Sequence, residues 1–388
     1  MVSHLDPKYG GLSAVVPALG SAVAAHGRCS ISLEAFCRPD EHFAPAVADG
    51  IAVSYFPVGR LAWRKDATAR RTFQRTVAEA SGVHIHGLWQ MSTAAAVRAA
   101  KSLSKPYVIS AHGMLERWAL ANKPVKKKIY AALCERSNLR GAACLHALTE
   151  AEAGDYRRFG LPNPIAVIPN GVDIPASAAA GLFLDRFPAL RGRRLILFLG
   201  RIHFKKGLDI LSEAWARIAS RWPEAQLVLA GPDFEGTQAL IETRLRELGI
   251  ERRVTFTGML DAPLKWSALA AAECFVLPSY SEGLSVSVLE AMGLGLPVIV
   301  SEQCNLPEVA CHACGLTIQP RVDELSAALE HMLGASGRER SSFGQNGRRL
   351  IDERYSWPAI GEQMTALYAW LTGGPRPAGF NLNPGEKR

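Results

Sequence analysis

Short apolar runs alternate with longer stretches of helical periodicity along nearly the whole chain. That alternation predicts an α/β fold with parallel sheets. In the first half, strands are predicted at "MVSHL", "CSISLEAF", "IAVSYFPV", "VHIHG", "PYVISAHG", "CLHALT" and "IAVIPNG". Helices are predicted over roughly 11–26 and at "AAAVRAAKSLS" and "VKKKIYAALCERSNL". The second half repeats the scheme, with strands at "RLILFLGR", "AQLVLAG", "VTFTG", "CFVLPS" and "PVIVSE" and helices such as "LDILSEAWARIASRW" and "TQALIETRLRELG" between them. A polar loop of small residues at 171–184 separates the two, so the chain predicts two strand–helix halves joined near 172–193. The repetition is architectural, since the halves share no sequence repeat. The first strand begins at Met1; it is either a minimal edge strand or one whose start lies upstream. The stretch 373–388, "GGPRPAGFNLNPGEKR", predicts a disordered tail.

The bulk numbers agree with this picture. A chain of 388 residues, 48% hydrophobic and 21% charged, has material for two globular domains. No apolar run reaches the roughly 18 residues of a membrane span. The longest, 11–25, is broken by Pro17 and Gly20. "MVSHLDPKYGG" has no basic segment followed by an apolar core, which predicts a cytoplasmic protein. The eight cysteines are then expected to be reduced. "CHAC" at 311–314 lacks a second ligand pair at zinc spacing, and small buried loop residues are the better reading, although Cys304 and His312 could contribute ligands. The net charge of +8 is confined to residues 1–180, which hold 21 Lys and Arg against 13 Asp and Glu; residues 181–388 hold 23 of each. The excess concentrates at 60–75 and 122–140, where basic residues mix with Trp, Tyr and aliphatics. Such stretches suit an anionic membrane surface, a charged acceptor or a solvated helix face. No nucleic-acid recognition motif accompanies the charge.

Ligands of open α/β sheets bind beyond the carboxyl ends of the strands, so the loops that follow strands carry the chemistry. After the first strand, Gly10 and Gly11 precede a helix; they form either an anion site or a plain turn, and G-x-G-x-x-G is absent. His112 ends a strand in "SAHGMLERWAL", where an imidazole can donate or accept near neutral pH. His84 and His86 in "HIHGLWQ" share a strand face, which makes metal binding conceivable without further ligands to support it. In "FLGRIHFKKGLD", Arg201 and Lys206 lie across a turn from one another and are expected to converge on one diphosphate. In "YSEGLSVSVLEAMG", Glu282 stands in the loop. The amides of Gly283, Leu284 and Ser285 approach a helix start, and Glu290 lies about a turn inside that helix on the face of Val286 and Ser287. A carboxylate buried there needs donors. Ribose hydroxyls would serve, and so would a Lys or Arg, but 283–301 contains neither.

The set "SEGLSVSVLEAM" with Glu282-x7-Glu290, preceded by "GR....KG", "AG", "V.F.G" and "IPNGVD", resembles the family 4 retaining glycosyltransferases with the GT-B fold. The resemblance runs from "DPKYGG" to about residue 370; "HGLW" and "AHGMLERWAL" are similar to its bacterial polysaccharide-synthesis branch. It implies two Rossmann-like domains facing a central cleft: an acceptor-side domain at 1–172, joined by a returning helix at 356–371, and a nucleotide-sugar domain at 173–355. It also implies that Arg201 and Lys206 hold the diphosphate, Glu290 the ribose, and Glu282 the transferred sugar. His112 would lie near the anomeric carbon and Gly11 near the phosphate. The expected donor is a UDP-, GDP- or ADP-sugar and the acceptor a glycan or lipid-linked sugar, with no cofactor. No D-x-D stands beside a strand, in line with metal-independent transfer. Leu284 and Ser285 depart from the Phe-Gly of many members. The alternatives are a nucleotide-sugar epimerase of the same fold and an inactive sugar-nucleotide-binding scaffold.

Overall fold

A computed structural model describes residues 1–6, 11–38, 43–57, 63 and 65–377. Gly10, part of the 60–75 basic stretch and residues 378–388 of the expected tail lie outside the described residues. The chain forms two units, Met1–Gly171 with Trp357–Arg388, and Val172–Ser356.

The first unit contains β1 (Ser32–Cys37), β2 (Ala52–Pro57), β3 (Val83–His86), β4 (Tyr107–Ser110), β5 (Cys144–Ala147) and β6 (Ile165–Val167). β1 pairs with β2, and β3 to β6 pair in order, all parallel. The amino-terminal residues join the two ladders. Val2 N–H donates to Glu34 O at 3.0 Å, Phe36 N–H to Val2 O at 3.2 Å, and His86 N–H to Met1 O at 2.9 Å. The opening segment is thus interior, between β1 and β3, and the edge-strand reading is corrected. Its ladder contacts come from Met1 and Val2, because Val2 makes a single bridge, to Ala35.

Helix Leu12–Ala25 packs on the returning helix Trp357–Leu371, burying Leu19, Val23, Ile360, Met364 and Leu367. Gly361 permits the approach, since a Cβ there would stand 2.5 Å from Ala22 O. Phe36, Phe56, Phe73 and Trp63 pack edge to face or tilted beneath β1 and β2.

A buried polar chain ties this returning helix to the sheet. Tyr368 Oη lies 2.6 Å from His84 Nδ1, His84 Nε2 2.6 Å from Ser110 Oγ, Ser110 Oγ 2.6 Å from His146 Nδ1, and His146 Nε2 2.7 Å from Ile168 O. A carbonyl only accepts, so His146 must carry its proton on Nε2. With both imidazoles neutral, every other proton follows: Ser110 donates to His146, His84 Nε2 to Ser110, and Tyr368 to His84 Nδ1. Both nitrogens of His84 are therefore occupied, which removes the metal reading of the His84–His86 pair. Among the described residues no group of three His, Cys, Asp or Glu is arranged to hold a metal ion.

The second unit is one six-stranded parallel sheet of β7 (Arg194–Leu199), β8 (Ala225–Ala230), β9 (Val254–Gly258), β10 (Cys274–Leu277), β11 (Val298–Ser301) and β12 (Gly315–Ile318). The order is β12-β11-β10-β7-β8-β9. The inner strands β7, β8, β10 and β11 are nearly continuous buried apolar runs because helices cover both faces, whereas the edge strands β9 and β12 carry threonines and are half-buried. From β7 the chain builds outward through β8 and β9, then returns to the other side of β7 for β10. The order reverses between β7 and β10, and that switch point opens a crevice at the strands' carboxyl ends. Close backbone approach makes glycine necessary there. A Cβ on Gly231 would stand 1.9 Å from Gly200 O, and one on Gly207, at φ +67°, 2.1 Å from Pro278 O.

The buried imidazoles set an acid limit on stability. Burial lowers His146 from 6.5 to about 4, and holds His84 well below its usual value. Their contribution is complete above pH 6.5. Below it the unfolded chain takes protons that the fold refuses, and each group then removes up to about 1.4 kcal/mol per pH unit until its lowered value is reached. Urea midpoints should fall from pH 7 to pH 5, and less steeply in His146→Gln. Equal slopes in the two chains would contradict the assignment.

Candidate functional site

Lys206 and Glu282 come from the loops after β7 and β10, the two strands that flank the switch point. Lys206 closes the short 3-10 turn Phe204–Lys206, where His203 Nδ1 accepts from Lys205 N–H at 3.0 Å. Gly207 then turns left-handed and starts helix Leu208–Ile218. The Lys206 stem passes 3.7 Å from where a Gly200 Cβ would be, and its Nζ reaches Glu282 Oε1 at 2.6 Å. Ser279 Oγ donates to the same oxygen at 2.6 Å. The Lys206 and Glu282 side chains are 16% and 12% exposed, so water screens the pair only in part.

The Glu282 loop is pinned from both sides. Tyr280 N–H donates to Lys205 O at 2.8 Å, and Glu282 N–H to Gln303 O at 3.0 Å. Asn305, itself left-handed, donates its amide to Glu282 O and Gly283 O. Beyond the loop, helix Val286–Gly293 begins with Ser285 as a buried N-cap whose side chain makes no cap bond. Gly283 and Leu284 precede it, half-buried.

Glu290 lies in that helix and bonds Lys265 Nζ at 2.6 Å. Lys265 belongs to helix Ala262–Ala271, and its ammonium lies 4.4 Å from the Trp266 ring centroid. Burial raises the Glu290 carboxyl, and Lys265 works against that rise. The protein cation absent from 283–301 is thus supplied by another helix.

The remaining candidates are placed differently. Arg201, expected to join Lys206 on one diphosphate, is exposed, and its guanidinium lies over Phe234 at 5.1 Å. Gly11 caps helix Leu12–Ala25 with an ordinary φ of −59°, and a Cβ would meet nothing within 4 Å, so no tight turn requires glycine there. Cys311 is exposed and Cys314 buried, both as free thiols.

His112 follows β4 in the first unit, left-handed at φ +53° beside Gly113 at +75°. Gly113 N–H donates to Glu152 Oε1 and Leu148 N–H to Glu152 Oε2, each at 2.7 Å. Ala111 N–H donates to Tyr156 Oη at 3.0 Å, and Tyr156 Oη donates to His146 O at 2.7 Å. His112 Nε2 lies 3.0 Å from His86 Nδ1. Burial, followed by the neighbouring His146, lowers His112 to about 3.

Two family models together match most of the chain. A "Glycosyl transferase 4-like domain" model matches residues 10–171, and a "Glycosyl transferases group 1" model matches 185–350. The chain belongs to the family 4 glycosyltransferases of the GT-B fold.

An MMP alpha-(1->4)-mannosyltransferase of Mycolicibacterium hassiacum is 32% identical over 277 residues, 70% of this chain and 61% of that protein. A GDP-mannose:cellobiosyl-diphosphopolyprenol alpha-mannosyltransferase of Xanthomonas campestris is 26% identical over 77% of each chain. The first of these matches leaves more than a third of the relative's own length uncovered. Among solved structures, sucrose-phosphate synthase of Thermosynechococcus elongatus superposes with a TM-score of 0.77 at 23% identity, covering 95% of this chain and 98% of the other. Anabaena HepE in complex with UDP-glucose gives 0.71 at 19%, covering 95% and 99%. At these identities the likeness concerns the fold.

Several residues of this site carried little or no signal in the sequence. Lys265 left one signal, a lone cation in the otherwise apolar helix "APLKWSALAA". Glu152 left another: Thr149-x-x-Glu152 has capping-box spacing, and Thr149 Oγ1 does accept from Glu152 N–H at 3.2 Å. The Glu152 carboxylate, however, serves Leu148 and the His112 loop. Ser279, Gln303 and Asn305 carried no signal.

Lys265→Met strands the Glu290 carboxylate. Stability in urea should fall by about 1–3 kcal/mol, and adding Glu290→Gln should recover much of it. Additive losses in the double variant would show that the two side chains act independently.

Proposed function

We propose that this chain transfers a hexose-type sugar from a nucleotide diphosphate donor to a glycan or lipid-linked acceptor, with retention of anomeric configuration. The observation that carries the reading is the Lys206–Glu282–Ser279 cluster at the switch point, with Glu290 in the adjoining helix. The unit Val172–Ser356 takes the nucleotide-sugar, and the unit built on Met1–Gly171 takes the acceptor. UDP, GDP and ADP all suit a ribose held by Glu290. The relatives named for mannosyl transfer and polyprenol-linked substrates favour polysaccharide or glycolipid assembly, such as exopolysaccharide, lipopolysaccharide or capsule.

Lys206 rests on Glu282. A diphosphate oxygen competes for the ammonium, and its arrival frees Glu282 to accept hydroxyls of the transferred sugar. One ion pair thereby becomes two ligand contacts. Arg201 leaves Phe234 to add its planar fork to the diphosphate. Amides at Gly283, Leu284 and Ser285, before the uncapped helix, offer further donors. These fixed charges offset the negative charge that develops as the bond from anomeric carbon to phosphate oxygen breaks. The acceptor hydroxyl then attacks the same face of the sugar, and its proton leaves on the departing phosphate. His112, held neutral, lines the sugar without adding charge, and Gly11 approaches the phosphate from its helix start. Lys206 and Arg201 take the place of a divalent ion, so no cofactor is required.

The basic first unit supports a further part of this reading, attachment to the anionic cytoplasmic face of a membrane. No described helix is long and apolar enough to cross a membrane. The segment after the His112 loop, however, exposes Trp118 by 52%, Val125 by 69%, Ile129 by 56% and Leu133 by 79%. Exposed Lys123, Lys126 and Lys128 flank them. Apolar side chains four apart among lysines suit the boundary between headgroups and acyl chains.

Lys206→Ala and Glu290→Ala should each lower kcat/KM by about a hundredfold or more while circular dichroism stays that of the parent and Tm falls only by the few degrees that an unpaired partner charge costs, and chelators should leave turnover intact. A fully active, folded Lys206→Ala enzyme would sink the phosphate assignment. Separately, sedimentation with phosphatidylglycerol vesicles should weaken with salt and with Ile129→Glu or Leu133→Glu. Binding indifferent to both would remove the membrane reading.

A further inference from the structure

The segment "HIHGLW" places His84 and His86 on one strand face, yet the fold employs them differently. The His84 chain ends on the Ile168 carbonyl, which fixes each of its protons. His86 leads instead to His112. Their ring centroids lie 5.3 Å apart at an interplanar angle of 27°, with His86 Nδ1 3.0 Å from His112 Nε2, so the rings meet edge to edge through these nitrogens.

The backbone around His112 is already clamped. Its φ of +53° is a strained setting for a non-glycine residue, and the amides on either side bond Tyr156 and Glu152. Those clamps set the direction of the Cα–Cβ bond. They leave the side-chain torsions open, and the bond to His86 removes that freedom.

Burial keeps both imidazoles neutral at physiological pH. One hydrogen lies between the two facing nitrogens, so one ring donates and the other accepts. If His86 donates, it is protonated on Nδ1, and His112, accepting on Nε2, is protonated on Nδ1. If His112 donates, both rings are protonated on Nε2. The two rings must therefore share one tautomer. The outward nitrogens, His112 Nδ1 and His86 Nε2, always have opposite character, one donor and one acceptor.

We propose that His86 is a positioning residue for His112: it grips Nε2, leaves Nδ1 as the nitrogen that meets the ligand, and ties the two rings to a common tautomer. The ligand in question is the transferred sugar, so this rests on the reading that His112 faces that sugar. A hydroxyl, which both donates and accepts, is the group such an outward nitrogen would recognise.

Nitrogen–proton correlation spectra of the full chain labelled in histidine test the proposal, with His86→Asn and His112→Ala assigning the signals. His86 and His112 should show the same tautomer, and His84 and His146 the Nε2–H form. In His86→Leu the His112 signal should move to the average of mixed tautomers. That variant should also lose about tenfold or more in kcat while the donor KM stays within about twofold. His86→Asn, which restores a polar atom near Nδ1, should recover most of the loss. Opposite tautomers in the parent chain, or a His86→Leu enzyme with unchanged kcat and unchanged His112 signal, would overturn it. A fully active His112→Ala enzyme would instead defeat the sugar-contact reading, and the spectra would still decide the positioning role. If His86→Leu does not fold, the parent spectrum and His86→Asn decide.

Discussion

A carboxylate removed from water needs a cation or several donors, and two such carboxylates govern the second unit. Glu282 and Glu290 are each 12% exposed at the side chain, and each bonds a lysine at 2.6 Å. The lysines come from different places in the sheet: Lys206 from the loop after β7, Lys265 from the helix between β9 and β10. Holding both pairs at once requires the carboxyl ends of β7 and β10 to stay in register with the helices around them. The pairs are also only partly screened, so an arriving anion or hydroxyl competes for them on favourable terms. A site whose charges are satisfied internally, but exchangeably, is suited to a ligand that brings both a diphosphate and a sugar.

Backbone proximity makes that register possible. Gly231 against Gly200 O and Gly207 against Pro278 O leave no room for a Cβ. They bring the turn after β8 onto the loop after β7, and the start of the Lys206 helix onto the loop after β10. Tyr280 N–H on Lys205 O then locks the two loops together. The cationic turn and the acidic loop are built as one piece, which is why Lys206 meets Glu282 directly and Arg201, on the exposed side, falls to Phe234.

The alternation of strands and helices was legible because each strand of a covered parallel sheet is an apolar run bounded by turn residues. The loops that carry Lys206, Glu282 and His112 were legible from the rule that chemistry gathers beyond strand ends. Partners that depend on tertiary proximity were not. Lys265 lies 25 positions before Glu290, Asn305 lies 23 after Glu282, and no period links either pair. The opening strand was misread for a related reason. Its neighbours β1 and β3 follow it in sequence, so nothing local reveals that Val2 is interior. Arg201 is a further case: the spacing of two cations at one turn said nothing of the aromatic face of Phe234, 33 positions on, over which its guanidinium rests.

The histidines of the first unit show how one residue type serves two ends through its second hydrogen bond. His146 ends on a carbonyl, an acceptor without a proton to give, and that single constraint orders the whole chain from Ile168 to Tyr368. It makes the chain structural: its protons have one arrangement, and it fastens the returning helix to β3, β4 and β5. Among the described residues, the His86–His112 pair has no such terminus. Each ring faces another ring that can donate or accept, so the pair has two arrangements related by exchange of roles. Order in the first network holds the sheet still, and the freedom left in the second lies at the end of β4, in the left-handed turn of His112 and Gly113.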